Sequence, residues 1–295
     1  MKFDLIQSSC PLEPVHGSSH LSKAGEAFGA RPYDREVFEI HECDRCGLGL
    51  TRPLPKPENA GELYSERTSI DFQPEDTSAI AAIKLYFAKR DAASFAKYSP
   101  NAKSILDYGC GNGAFTIALR ERFSSARVYG TDYHEACPSA LKPQEYIPYS
   151  ALAQKKGQFD LILLRHVLEH TYDPAKFLGE LRELLTEGGV LAIEVPRFDT
   201  PLRQAFGKHW DGYYVPYHPL HFTPKSLALA AESAGLTVVG EGKAEMPKMG
   251  RTLRNLLGCS YNPLLFVAGV ALHPVQLGVG LLTNTAVCLR LWARK

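Results

Sequence analysis

The chain has 295 residues, of which 45% are hydrophobic, enough for one large α/β domain of about 150–200 residues with a smaller unit beside it. Its 33 basic and 32 acidic residues give a net charge of +1, which argues against a nucleic-acid partner because such binders carry a clear basic excess. The first residues lack the apolar run of a signal peptide. Seven cysteines without an export signal do not suggest disulfides, so we predict a cytoplasmic protein.

Three regions follow one another along the chain. Residues 1–60 are rich in Pro, Gly, Cys and His, and predict a small, loop-rich Cys/His module. Residues 61–98 predict a helical linker or cap. In residues 99–295 short apolar runs alternate with helical segments, which is typical of βαβ units.

The third region predicts an α/β fold with a doubly wound, mostly parallel, seven-stranded sheet. The predicted strands are residues 104–108, 127–131, 145–149, 159–164, 190–195, 236–239 and 286–293. A helix is predicted over residues 114–123. Two further helices are predicted to begin at Asp173-Pro174 and Thr223-Pro224, where a capping side chain precedes a proline at the first helical position.

A glycine-rich turn, Asp107-Tyr108-Gly109-Cys110-Gly111-Asn112-Gly113, follows the first of these strands. Glycines at such a turn allow tight backbone geometry and let a ligand approach the main chain. Asp107 precedes the glycines and can orient a cationic or hydroxylic group. Asp132 ends the second strand, where a carboxylate can hold a ribose diol.

A longer segment, FDLILLRHVLEHTYDPAKFLGELRELLTEGGVLAIE at residues 159–194, resembles class I S-adenosylmethionine-dependent methyltransferases. The HVLEH run, the proline-started helix and the Gly-Gly before a strand carry the resemblance, which extends from Lys103 to the end. It implies a Rossmann-like methyltransferase fold with S-adenosylmethionine as cofactor. Asp107, Gly109 and Gly111 would then line its methionine side, and Asp132 would bind its ribose. We predict these cofactor-binding residues: Asp107, Gly109, Cys110, Gly111, Gly113, Asp132, Tyr133 and Arg165.

Two alternatives compete with this interpretation. Gly109, Gly111 and Ala114 also fit the G-x-G-x-x-A pattern of an NAD(P)-dependent dehydrogenase. An acid ahead of the glycines suits an ammonium group better than a pyrophosphate, which favours the methyl donor. The second alternative is a cofactor-free, methyltransferase-like scaffold or binding protein at a membrane. The family's usual acidic contact to adenine is not evident, since Tyr149-Ser150-Ala151 occupies that place.

Histidines follow the fourth and fifth predicted strands, whose carboxyl ends face the ligand crevice in such sheets. Methyl transfer from a sulfonium is a displacement that needs alignment and, for some acceptors, removal of a proton. The segment 210–222 adds tyrosines that can stack on a ring-bearing acceptor such as a sugar. We predict His166, His170, His218 and His221 as catalytic candidates. His166 is preferred as the substrate-facing residue, while His170 remains equally open as a structural histidine.

The N-terminal region contains Cys43-Asp44-Arg45-Cys46 followed by Gly47, the form of a zinc knuckle. The stretch CDRCGLGLTRPLP resembles the second half of a small zinc-binding module that precedes some methyltransferases of sugar and natural-product pathways. It departs from that pattern because Glu13 stands where the second cysteine of the first pair is expected. We predict a structural zinc ion on Cys10, His16, Cys43 and Cys46. His20 and His41 are alternative ligands. The alternative to zinc is a reduced, metal-free cysteine pair or, less favoured because no thioredoxin-like context surrounds it, a redox pair.

An apolar insertion at residues 251–282 precedes the last predicted strand. Pro263–Leu282 has the length of a membrane span. However, His273-Pro274 interrupts it, so we predict two short helices. Preceded by Lys248, Arg251 and Arg254, they either make a peripheral membrane contact or cover the core or a second subunit of a homodimer. The sequence thus predicts a methyltransferase for a small-molecule or saccharide acceptor, lipid-linked if the insertion meets a membrane.

Overall fold

A computed structural model describes residues 9–30, 33, 36–54, 63, 78–95, 97–259 and 262–295, without the side chains of residues 78–85 and 87. The strands are β1 (Leu21–Phe28), β2 (Val37–Cys43), β3 (Gly49–Arg52), β4 (Ser104–Tyr108), β5 (Arg127–Thr131), β6 (Phe159–Arg165), β7 (Leu185–Pro196), β8 (Leu220–His221), β9 (Thr237–Ala244) and β10 (Cys288–Arg294). The helices are α1 (Glu13–His16), α2 (Ser78–Phe95), α3 (Ala114–Arg122), α4 (Pro174–Leu184), α5 (Pro201–Phe206), α6 (Pro224–Ser233), α7 (Met249–Leu257), α8 (Pro263–Ala271) and α9 (His273–Leu282).

The central sheet has six strands in the order β5-β4-β6-β7-β10-β9. Strands β5, β4, β6 and β7 are parallel, and β10 is antiparallel to both of its neighbours. Nearly all residues of β4 and β6 are buried, as expected for strands covered on both faces. The predicted mixed α/β fold with a mostly parallel sheet is therefore confirmed.

Helices cover both faces of this sheet. On one face, α2 and α3 pack against Ile105 and Leu161. On the other face, α4 and α6 pack against Leu106 and Ile162. Successive strand residues point to opposite faces, so each strand supplies both hydrophobic layers. The predicted start sites of the two helices are seen: Asp173 accepts a hydrogen bond from the Lys176 N–H, and Thr223 caps α6 in the same way.

The predicted count of seven strands is wrong by one in the described residues. Residues 145–149 form only an isolated parallel bridge, between Tyr146 and Gly130. Short 3₁₀ helices at Pro143–Glu145 and Tyr149–Lys155 flank this bridge. Pro148 also lacks the N–H that a longer ladder would need, and together these features leave no room for a strand.

The N-terminal module contains a four-stranded antiparallel sheet in the order β1-β2-β3-β8. The prediction of a loop-rich module missed these strands because β1 alternates poorly and is mostly exposed or half-buried. The fourth strand, β8, comes from the segment that follows the central sheet's strand β7, with Gly49 opposite His221. Of the predicted linker, Leu63, α2 and residues 97–98 are described, and residues 61–62, 64–77 and 96 lie outside the described residues.

The C-terminal insertion forms α7, α8 and α9 between β9 and β10. The predicted division into two helices is seen, because α8 ends at Ala271 and α9 begins at His273. Cys288, the first residue of β10, is opposite both Ala244 and Pro196, the last residues of β9 and β7. The insertion therefore leaves and rejoins the sheet at the carboxyl edge of the parallel strands.

Candidate active site

The glycine-rich turn joins β4 to α3. Gly109, Gly111 and Gly113 all have positive φ angles, of 80°, 53° and 83°, which favour glycine. A Cβ added at Gly109 would overlap Val167, whereas one at Gly111 would meet nothing within 4 Å. Gly109 is thus required for packing, and Gly111 leaves the main chain open to an approaching ligand.

The buried side chain of Asp107 stabilises this turn by binding to α3. Its side chain is 2% exposed and accepts a hydrogen bond of 2.7 Å from the Thr116 hydroxyl on α3. Burial raises the pKa of Asp107 to about 6, a shift that the Thr116 hydrogen bond opposes. Cys110 is also buried, against Leu141 and Tyr146. Both residues therefore hold the shape of the turn rather than presenting a side chain at its surface.

Asp132 lies directly after β5, beside the turn. One of its carboxylate oxygens accepts a hydrogen bond of 2.9 Å from the Gly111 N–H. The next residue, Tyr133, is 72% exposed, and its ring centroid lies 5.9 Å from that of Tyr149. This edge of the sheet therefore combines an accessible carboxylate with two exposed aromatic rings.

His166 follows β6 and has a positive φ of 55°, an uncommon conformation for a residue with a side chain. Its Nδ1 lies 3.3 Å from a Glu169 oxygen, and its Nε2 lies 3.4 Å from a Glu194 oxygen. Although burial opposes the charged form, hydrogen bonds with Cys288, Glu169 and Glu194 raise the pKa of His166 well above its ordinary value. His166 is thus an imidazolium held between two buried carboxylates.

A buried ion-pair network continues from Glu194 across the sheet. Arg290 on β10 pairs with Glu194 on β7, and Arg165 stacks 3.7 Å from the centroid of Phe115 while its Nε lies 3.8 Å from Glu194. Burial opposes ionisation of Glu194, but His166, Arg290 and Arg165 hold its pKa well below the usual range. Arg165 therefore lies in this network as well as near the turn.

Sequence reasoning missed Glu194 and Arg290. Each is the buried charge of its strand, 2% and 4% exposed respectively, whereas Glu187 on β7 and Arg294 on β10 are exposed. The sequence contained one signal for this pair, which is that two apolar strands carry opposite charges. Because a buried charge requires a partner, these charges could have indicated that the two strands are neighbours.

His170 and His218 lie next to each other beside His166. Their ring centroids are 4.7 Å apart, and His218 Nε2 lies 3.9 Å from Glu169. His170 Nδ1 is 2.7 Å from the Tyr217 carbonyl, which can only accept, so Nδ1 carries the hydrogen and Nε2 is the nitrogen able to take a proton. Burial, followed by the charges of nearby histidines, lowers the pKa of His218 well below its ordinary value.

Glu169, His170 and His218 place ligand-type atoms within 4.8 Å of one another, as a metal site would. However, the His166 imidazolium already occupies the Glu169 oxygen nearest to His218. The other Glu169 oxygen and His218 Nδ1 are buried with no protein hydrogen-bond partner in the described structure. We interpret the group as one that binds and moves protons rather than one that holds a cation.

His221 connects the central domain to the N-terminal module. It is 5% exposed, and its Nε2 is 2.8 Å from the Thr51 hydroxyl on β3. Burial lowers the pKa of His221 to about 3. Beside this contact, an open cavity of about 480 Å³ lies between β1 and residues 203–213. Its polar lining includes Lys23, Glu26, Arg203 and Gln204.

The structure brings Cys10, His16, Cys43 and Cys46 together in the N-terminal module, with one ligand-type atom from each within 4.8 Å of the others. The Cys10 and Cys46 sulfurs are 3.6 Å apart, and Cys43 Sγ lies 3.7 Å from His16 Nε2. His16 Nδ1 donates to the Gly17 carbonyl at 2.8 Å, which leaves Nε2 as the nitrogen that faces the cysteines.

This Cys/His cluster is tied to the segment that carries His218 and His221. The Thr223 hydroxyl donates to the Cys46 carbonyl at 3.2 Å, and the Thr51 hydroxyl donates to the His218 carbonyl at 2.7 Å. The N-terminal module therefore holds the segment that carries His218 and His221 in place.

Comparisons with known proteins agree on one family. A family model described as a methyltransferase domain matches residues 80–241. The trans-aconitate 2-methyltransferase of Deinococcus radiodurans is 32% identical over 111 residues, covering 36% of this chain and 43% of that protein. The ubiquinone biosynthesis O-methyltransferase of Psychrobacter arcticus is 27% identical over 210 residues, covering 62% and 72%. The chain thus spans about two fifths of the first relative, and nearly three quarters of the second.

The fold is also that of a solved structure. The Burkholderia thailandensis 1,6-didemethyltoxoflavin-N1-methyltransferase, with bound 1,6-didemethyltoxoflavin and S-adenosylhomocysteine, superposes with a TM-score of 0.52 at 18% identity. The match covers 92% of this chain and 99% of that one.

Proposed function

Because the chain belongs to the methyltransferase domain family and is a class I S-adenosylmethionine-dependent methyltransferase, we propose that it methylates a hydroxyl group of a small molecule or saccharide. The family assignment favours S-adenosylmethionine over NAD(P) as the cofactor, and cofactor binding distinguishes the enzyme from a cofactor-free scaffold. The observation that carries the proposal is the placement of His170 and His218 together beside Glu169, at the carboxyl edge of the sheet. A hydroxyl acceptor needs a base of this kind, because its proton must leave as the methyl group arrives.

The residues around the glycine-rich turn fit S-adenosylmethionine. Gly111 leaves open space where a side chain would stand, and Asp132 offers an accessible carboxylate for a ribose diol. We propose that the exposed rings of Tyr133 and Tyr149 contact the adenine, for which the sequence shows no acidic partner. When bound, this cofactor supplies an electrophilic methyl group on a sulfonium.

The histidines and Glu169 have separate roles in the proposed methyl transfer. In the proposed mechanism His170 Nε2 accepts the acceptor's proton, since its Nδ1 is committed to the Tyr217 carbonyl. Glu169 lies between His218 and the His166 imidazolium, and orients this set.

A methyl-transfer assay with labelled S-adenosylmethionine tests this proposal. Hydroxylated small molecules and saccharides would be compared with amine and carbon acceptors, and the labelled atom identified in each product. Label on oxygen supports the proposal, and label confined to nitrogen or carbon would overturn it.

We also propose that Cys10, His16, Cys43 and Cys46 hold a structural zinc ion. Bonds of about 2.3 Å at tetrahedral angles place two sulfurs roughly 3.8 Å apart, close to the spacing of the Cys10 and Cys46 sulfurs. The hydrogen bond from His16 to a main-chain carbonyl is the arrangement that orients metal-bound histidines.

We expect the purified protein to contain one zinc ion per chain, and Cys43→Ser to lose it together with thermal stability. Metal analysis and thermal unfolding measure both effects. Cys259→Ser is the matched control, because Cys259 is exposed and lies outside the cluster. A wild-type protein that contains no zinc and gains no stability when zinc is added would refute the site.

A further inference from the structure

Helices α8 and α9 form an apolar surface that is mostly exposed. By length and composition alone, Pro263–Leu282 is the one stretch of the described residues that could cross a membrane, with a mean hydropathy of 1.8. Only 17% of its most apolar window is buried within the protein. A core helix of the same composition would be largely buried, so the apolar character of this stretch is not explained by packing inside the chain.

One side of this stretch is fixed to the protein along its whole length. Its buried residues are Leu265, Gly269, Gln276 and Gly280, which recur at the spacing of one helix side. Gly269 lies against the backbone of α7, where a Cβ would come within 2.7 Å of the Gly250 nitrogen.

Gln276 fixes the second half of the stretch. Its amide donates to the Glu245 carboxylate at 2.7 Å and to the Met246 carbonyl at 2.9 Å. A helix held on one side by polar contacts with the domain lies along the domain's surface. The geometry therefore fits a helix in the plane of an interface better than one that crosses a bilayer.

The opposite side presents large apolar side chains to solvent. The most exposed are Leu264 (80%), Val267 (61%), Val275 (63%), Leu281 (84%) and Leu282 (90%). Leu256 and Leu257 at the end of α7 are exposed as well. We call these seven residues the apolar face. Scattered exposed leucines are ordinary, but a set this large on one short insertion indicates a binding surface.

Charge decides which partner fits the apolar face. Glu245 is the last acidic residue of the sequence, so the whole insertion and the final strand carry only basic charges. Arg251 is exposed on α7, and Lys208 is exposed on the turn that packs against α7. Among the described acidic residues, Glu245 accepts a hydrogen bond from Gln276, and Asp211 lies 3.6 Å from Lys248. An apolar surface with a basic border complements an anionic lipid bilayer.

The apolar face also lies at the edge of the sheet that holds the active site. The insertion begins after Ala244 and ends before Cys288, both aligned with the carboxyl end of β7. Thr252 on α7 accepts a hydrogen bond from the Asp211 N–H in the tyrosine- and histidine-rich segment. Contact between this face and a membrane would therefore bring the acceptor site close to the lipid headgroups.

We propose that α7, α8 and α9 dock the enzyme on anionic membranes, with the apolar face inserted at the level of the headgroups. The docking does not depend on methyl transfer, so its test is separate from the test of the proposed function.

Co-sedimentation of the full chain with vesicles tests the docking. We expect binding to phosphatidylcholine vesicles that contain phosphatidylglycerol, and weaker binding to phosphatidylcholine alone. Leu281→Glu and Leu282→Glu should each weaken binding about tenfold, since each removes a leucine from the lipid. Val37→Glu is the matched control, because Val37 is 47% exposed on β2 and lies outside the insertion. It should bind like the wild-type protein.

Two results would overturn the proposal. One is a wild-type protein that binds S-adenosylmethionine but does not sediment with either kind of vesicle. The other is a wild-type dimer that Leu282→Glu converts to a monomer in sedimentation velocity without any vesicle binding, which would assign the apolar face to a second copy of the chain. Circular dichroism and cofactor binding check that each variant is folded.

Discussion

Replacing His170 with alanine is expected to lower kcat for a hydroxyl acceptor by a factor of about 10²–10⁴, the usual contribution of a positioned base. The Tyr217 carbonyl holds Nδ1 of His170, so the variant loses the nitrogen that receives the proton. Affinity for S-adenosylmethionine should change little, because His170 is not part of the glycine-rich turn. Steady-state kinetics and calorimetry measure the two effects separately.

His20→Ala is the control for this variant, since His20 is exposed and does not belong to the cluster of Cys10, His16, Cys43 and Cys46. It should retain kcat. If His170→Ala kept wild-type kcat at every pH, His170 would not be the base. If it instead raised KM for the acceptor without changing kcat, its role would be binding.

Replacing Glu194 with alanine is expected to lower the free energy of unfolding by about 3–5 kcal/mol, because it leaves buried positive charges without a partner. Glu194 is 2% exposed and neutralises both Arg290 and the His166 imidazolium. Urea denaturation measures the loss. Glu241→Ala on the neighbouring strand β9 is the control, since Glu241 is exposed and should change stability by at most about 0.5 kcal/mol.

A double variant, Glu194→Leu with Arg290→Met, separates the unpaired charge from the lost contact. It should be more stable than Glu194→Ala, because both charges of the pair are then absent. If the free energy of unfolding of Glu194→Ala were within about 1 kcal/mol of the wild-type value, water would have to reach this ion-pair network.

The central sheet could be predicted from the sequence because its strands are buried on both faces. Short apolar runs such as those of β4 and β6, bounded by turn residues and too short for a typical helix, favour interior strands. The starts of α4 and α6 could also be predicted, because a polar capping residue followed by proline indicates a helix start from two neighbouring residues alone.

Other features depend on contacts between distant residues. β1 has no alternating pattern, and it is a strand because β2 pairs with it. The strand predicted at residues 145–149 failed for the opposite reason. Its apolar residues suited a strand, but Pro143 before it and Pro148 within it lie at the starts of short 3₁₀ helices.

The candidate site divides in the same way. The glycine-rich turn and the Cys/His cluster follow from short motifs whose spacing specifies their geometry. The contacts of the histidines do not, because they involve Glu194 from β7, Thr51 from β3 and the main-chain carbonyl of Tyr217. These partners come together only in the folded chain.

Calorimetric titration of the purified protein with S-adenosylmethionine, and separately with NADH, tests the central claim most directly. We predict saturable binding of S-adenosylmethionine and none of NADH. Asp132→Ala should weaken binding about 10–100-fold, as expected for lost hydrogen bonds to a charged group. Asp199→Ala, which removes a carboxylate paired with Arg197 outside the glycine-rich turn, should bind like wild type. A folded protein that does not bind S-adenosylmethionine, or that binds it equally well without Asp132, would contradict this account.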